Sequence, residues 1–143
     1  MSLPHCRDGA LAAFPHPLSL RQWTGMNRPN HQIIVCTLCK ASDGVSQPGQ
    51  DLVDRLAAEL NGDPAYEVRG VGCMAGCGHP CTVAFRSPDK AQYLFGDICP
   101  DANFADLIDF ARMYQRLDDG WSKASQRPPG LYDKTLARIP AHL

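Results

Sequence analysis

Hydrophobic positions begin to recur in a regular pattern at His31, and from there the period alternates between that of a strand and that of a helix. Gln32-Ile33-Ile34-Val35 is a short β-branched, apolar run that predicts a strand buried on both faces inside a sheet and ending at Cys36. After a polar, glycine-containing stretch, Leu52, Val53, Leu56 and Leu60 share one stripe at helical spacing, with Asp51, Asp54, Arg55 and Glu59 on the other side. Pro48 suits the first turn of this helix, Ser46 suits its cap, and Asn61-Gly62 with Asp63-Pro64 stops it. Tyr66 to Val71 reads as a second strand, so the unit should close as a parallel crossover. Thr82 to Arg86 and Gln92 to Phe95 flank the turn-forming Ser87-Pro88-Asp89-Lys90 and predict a hairpin. Phe104, Leu107, Ile108, Ala111 and Tyr114 then mark a second amphipathic helix, capped by Asn103 or Asp101 and ended by Asp119-Gly120. The predicted fold is α/β, ordered β-α-β-β-β-α around a mixed sheet.

Three regions follow from this pattern: a loosely structured leader over residues 1–30, the domain over residues 31–120, and an extended tail over residues 121–143 packed on the domain surface. The abrupt onset of periodicity makes Met26 a candidate start. At 143 residues the chain is long enough to bury one core without disulfide staples, and 44% apolar with 20% charged residues is an ordinary globular composition. No run approaches the roughly 20 apolar residues of a membrane span. A net charge of −1 supplies no field for nucleic acid. The leader lacks the apolar core of an export signal, which leads to the expectation of a cytoplasmic protein that binds neither membrane nor nucleic acid. No Walker-type loop, G-x-S-x-G elbow or H-E-x-x-H helix is present, and no conventional enzyme is expected.

Seven cysteines change the picture. A reducing compartment disfavours a disulfide framework, which leaves redox thiols or metal ligation. Cys36 and Cys39 form a C-x-x-C at the end of the first strand, a spacing that serves two thiolates on one metal or a reversible disulfide equally well. The thiol-enzyme reading is weakened because Gly44, Pro48 and Gly49 push the helix start away from Cys36, which then lacks a helix N-terminus to lower its pKa. The second group is Cys73-x-x-x-Cys77-x-x-x-Cys81, where Gly72, Gly76 and Gly78 would permit positive φ and turn N–H groups toward anionic sulfur. A parallel crossover brings Cys36 and Cys39 beside Cys73 and Cys77. Four thiolates suit a [2Fe–2S] cluster or a structural zinc, and the three-residue spacer with the additional Cys81 tilts the reading toward iron.

The run Val35-Cys36-x-x-Cys39, the helix, Cys73-x-x-x-Cys77-x-x-Pro80, the hairpin and the final helix are similar to thioredoxin-like [2Fe–2S] ferredoxins. More closely, Cys36 to Tyr114 with Arg127-Pro128 and Ala137-Arg138-Ile139-Pro140 resembles an uncharacterised bacterial family labelled "predicted metal-binding protein". The resemblance implies a thioredoxin-like ferredoxin fold with Cys36, Cys39, Cys73 and Cys77 as cluster ligands and Pro80 leading into the hairpin. It further implies a redox partner protein, and is compatible with a homodimer. The association of the closer family with cobalt and cobalamin genes makes zinc or cobalt handling the alternative function. Thiol–disulfide exchange by Cys36 and Cys39 is a third.

Plainer readings stand beside these. Cys81 is a core residue as readily as a ligand, and Cys6 and Cys99 are incidental. His79 adds polarity to the cysteine loop, with ligation the sharper alternative; His5, His16, His31 and His142 are read as surface residues. Arg127 and Arg138 would anchor the tail through carboxylates in preference to steering an acidic partner. Phe104, Phe110, Trp121 and Tyr132 are read as packing.

Overall fold

The computed structural model describes residues 30–142, so the leader and Cys6, His5, His16 and Met26 lie outside the described residues. Its elements are β1 (His31–Cys36), α1 (Gly49–Glu59), β2 (Tyr66–Val71), β3 (Val83–Arg86), β4 (Gln92–Phe95), α2 (Phe104–Arg116) and β5 (Thr135–Ile139). One mixed sheet runs β2-β1-β3-β4-β5, parallel only between β1 and β2. The crossover and the hairpin are as the periodicity predicts. The fifth strand is an addition: the segment expected as an extended tail pairs antiparallel with β4, with an irregularity between Leu94 and Phe95.

Both helices pack on one face of the sheet. Ile33 and Val35 of β1, Val83 and Phe85 of β3, and Tyr93 and Phe95 of β4 join Leu52, Leu56, Leu107, Phe110, Ala111 and Tyr114 in a single buried core. Alternation along the strands sends Gln32, Ile34, Ala84 and Leu94 to the other face, where each is half-buried. The expectation that β1 is buried on both faces is therefore corrected: neither helix covers the second face. Five aromatic rings lock the core, with Phe85 edge-on to Phe110 at 4.8 Å between centroids and Phe95 edge-on to Phe110 at 5.0 Å.

Neither helix has a side-chain cap. Ser46, expected to cap α1, is instead bound through both its N–H and its hydroxyl to Asp43. Asn103 does stand at the start of α2, but its amide oxygen accepts from the Cys99 N–H, and Asp101 pairs with Arg55 at 2.9 Å. The C-terminal end of α2 is closed from a distance. Lys90 Nζ, buried, donates to the Tyr114 and Gln115 carbonyls at 2.8 and 2.9 Å and lies 2.9 Å from His31 Nε2. His31 is thus a correction too: expected at the surface, it is 8% exposed, packed between Tyr66 and Tyr114.

The two tail arginines anchor without carboxylates. Leu131 is fully buried, and the guanidinium groups of Arg127 and Arg138 both donate to the Ser122 carbonyl. Phe110 packs in the core as expected, and Phe104 packs against it, half-buried, under the Arg55 guanidinium, whereas Trp121 and Tyr132 are 45% and 46% exposed. Among the described residues no helix is long and apolar enough to cross a membrane.

Candidate functional site

The parallel register places Cys36 opposite Val71, so the chain leaves β1 and β2 at the same end of the sheet and delivers both cysteine segments there. Residues 37–48 swing out with Cys39 and return so closely that Gly49, the first residue of α1, abuts the Cys36 carbonyl; a Cβ at Gly49 would lie 2.1 Å from that oxygen. Helix α1 therefore does begin against Cys36, although the sequence puts its start far downstream.

One cavity of about 250 Å³ opens at this end, lined by Cys36, Leu38, Cys39, Lys40, Cys73, Cys77 and Pro80. All four cysteines singled out by spacing face it, but they differ in setting. Cys36 and Cys39 are 2% and 6% exposed and pack with Cys81, itself 2% exposed, and with Met74. Cys73 and Cys77 are exposed on the loop that follows β2. Among the described residues, no three His, Cys, Asp or Glu side chains are gathered closely enough to hold a single metal ion.

The electrostatics of the buried sulfurs follow from their neighbours. Burial raises the Cys36 pKa, but hydrogen bonds from the Cys39 thiol and from the backbone N–H groups of Leu38, Met74 and Cys39 outweigh it, and the net shift is downward. Cys39 moves the other way, pushed up by burial and then by its role as donor to Cys36. Cys81 is pushed up to about 12 by burial, with Cys39, Cys36 and Cys99 adding to it. On the exposed loop, the Ala75 N–H donates to Cys73 Sγ at 3.3 Å.

The glycines of that loop work differently from the sequence expectation. Gly72, Gly76 and Gly78 do not adopt positive φ; Ala75 does, at 59°. Gly76 is there for space, since a Cβ would sit 2.3 Å from Thr82 Cγ2, while Gly78 faces open space. His79 Nδ1 lies 2.9 Å from Asp97 Oδ2, and Asp97 N–H donates back to the His79 carbonyl, so this ring is tied to Asp97 and does not line the cavity. Leu38, which lines the cavity, has no motif of its own and is not legible in the sequence. Lys40 is legible in the sequence as the cation directly after the C-x-x-C, where it suits the redox-thiol reading.

Over the described residues the molecule is a one-sided α/β protein with a five-stranded mixed sheet, two α-helices and a cysteine-lined cavity at the end where β1 and β2 leave the sheet. The chain belongs to the family described as "Protein of unknown function (DUF1636)", which it matches over residues 33–141. No curated protein and no solved structure matches it.

Proposed function

We propose that this protein is a [2Fe–2S] electron carrier of thioredoxin-like ferredoxin type, with Cys36, Cys39, Cys73 and Cys77 as thiolate ligands. The observation that carries the proposal is that four thiols from two distant segments line one cavity. Such a cluster supplies a one-electron couple held by four thiolates. Cys36 fits a ligand role because three backbone N–H groups and a thiol already stabilise its anion. The Ala75 N–H does the same for Cys73. Two cysteine pairs on separate segments supply the four thiolates that an inorganic core of this kind takes. Closing onto such a core is a task for the exposed 73–77 loop. Lys40 at the lining offsets negative charge, and Leu38, 55% exposed at the lip, offers an apolar approach for a redox partner protein.

Thiol–disulfide exchange is the second reading, favoured by the opposed pKa shifts of Cys36 and Cys39. It is the weaker one because an attacking thiolate must be reached, and Cys36 is 2% exposed. A serine series on anaerobically purified protein separates the two. The proposal expects visible charge-transfer absorption that is lost in Cys36→Ser, Cys39→Ser, Cys73→Ser and Cys77→Ser and kept in Cys81→Ser. Colourless protein that reduces disulfides, loses this with Cys36→Ser and is indifferent to Cys73→Ser would establish the second reading instead.

A further inference from the structure

Arg127 and Arg138 converge on one oxygen. Arg127 Nη1 donates to the Ser122 carbonyl at 3.1 Å and to the Ser122 hydroxyl at 3.4 Å, and Arg138 Nη1 donates to the same carbonyl at 2.7 Å. Two cations sharing one acceptor stand within about 6 Å of each other and repel. Arg127 is only 7% exposed, and its Nε is buried with no hydrogen-bond partner among the described residues. Ion pairs elsewhere join Arg55 to Asp51 and Asp101, and Arg69 to Glu67. Among the described residues no carboxylate reaches salt-bridge distance of either Arg127 or Arg138. What surrounds them is aromatic: Arg138 lies 3.6 Å over the Trp121 ring, and the Arg127 guanidinium carbon is 5.8 Å from the Tyr93 ring centroid.

An arginine does not shed its proton, so a buried guanidinium without a counter-charge is costly unless an anion completes it. A neutral carbonyl and ring faces offset part of this; the unpartnered Nε shows that the donor set is larger than the protein's own acceptors. Two guanidinium groups converging on one oxygen bring together N–H donors of the kind that bind an oxyanion. We infer that Arg127 and Arg138, at the β4–β5 edge with Ser122 and Trp121, form a binding site for a small oxyanion, either a phosphate or a carboxylate. The half-exposed indole forms one wall and the exposed Arg138 the entrance; the depth of Arg127 limits the ligand to a small group. This site is separate from the cysteine cavity and does not depend on its occupant.

Trp121 is the reporter. The chain has two tryptophans, so full-length Trp23→Phe protein leaves Trp121 as the sole indole. It is titrated with inorganic phosphate and, separately, with succinate, at ionic strength held constant with chloride. The inference expects a saturable fluorescence change with at least one probe, and the two arms tell a phosphate site from a carboxylate site. Arg138→Gln should weaken the binding by about tenfold or more, as loss of a charge-assisted contact implies, with the far-ultraviolet circular dichroism unchanged. Arg138→Lys, which keeps the charge and loses the fork, should weaken it too and guards against a folding defect in the first variant. A pair that serves only to anchor the tail gives no saturable response to either probe. That result, or binding unaffected by both Arg138 variants, overturns the inference.

Discussion

Alanine at Gly49 would put a methyl group 2.1 Å from the Cys36 carbonyl oxygen, 2.8 Å from Thr37 Cα and 2.9 Å from the Cys36 carbonyl carbon. All three neighbours are backbone, so no rotamer change relieves the clash. Gly49 does not have positive φ, which leaves space as the whole of the argument. To restore an ordinary contact, the first turn of α1 and the end of β1 must separate by about 1 Å, against the packing of Leu52, Val53 and Val35. Overpacking of this kind costs about 1–3 kcal/mol. The better helix propensity of alanine returns at most about 1 kcal/mol, and less in a first turn. A net loss of about 2 kcal/mol corresponds to a Tm lower by roughly 6–10 °C for a domain of this size. Urea and thermal unfolding of metal-free Gly49→Ala protein measure it, and a visible spectrum of the anaerobic protein reports whether Cys36 has been displaced. Gly78→Ala, facing open space, is the control. A Gly49→Ala midpoint matching the parent would refute the close approach of α1 to Cys36.

Four further outcomes are expected. Lys90→Met should lower stability by about 1–3 kcal/mol in urea unfolding, because the Tyr114 and Gln115 carbonyls lose their donor. Acid should destabilise the protein through His31, whose pKa is held below 6.5 by burial and then by Lys90. The unfolded chain binds this proton more readily, so stability is full above pH 6.5 and falls as pH drops below it, by up to about 1.4 kcal/mol per pH unit until the folded-state pKa is reached; His31→Gln should flatten that slope in unfolding curves at pH 7.5 and 5.5. Gly76→Ala should destabilise against Thr82 where Gly78→Ala does not, as thermal unfolding of the two would show. Iodoacetamide treatment of metal-free protein, followed by peptide mass spectrometry, should label the exposed Cys73 and Cys77 well before Cys81, which is buried and has its pKa pushed up to about 12.

The elements that bury an apolar face were legible in the sequence, because burial imposes a period: β1, α1, β2, the β3–β4 hairpin and α2 lie where the pattern puts them. Strand β5 was not, since Leu136 and Ile139 are exposed and the strand is defined by backbone pairing with β4. His31 could not be read as buried, because its neighbour Lys90 is 59 residues away. At the cavity, spacing identified the cysteines and the crossover identified their common end. It could not tell that Cys36 and Cys39 are buried with Cys81 while Cys73 and Cys77 stay exposed. Gly49 looked like loop punctuation; its reason is a backbone contact that only the folded chain creates. Arg127 and Arg138 were rightly placed as tail anchors, but the acceptor is a carbonyl, which no side-chain pattern announces.

The four cysteines around one cavity are proposed to hold an iron–sulfur core. The most direct test of that proposal is the iron and acid-labile sulfide content of anaerobically purified protein, with the electron paramagnetic resonance spectrum after reduction. About two iron and two sulfide per chain and a one-electron paramagnetic signal are expected. Stoichiometric zinc without sulfide, or protein that binds neither metal while Cys36 and Cys39 cycle as a disulfide, would contradict it.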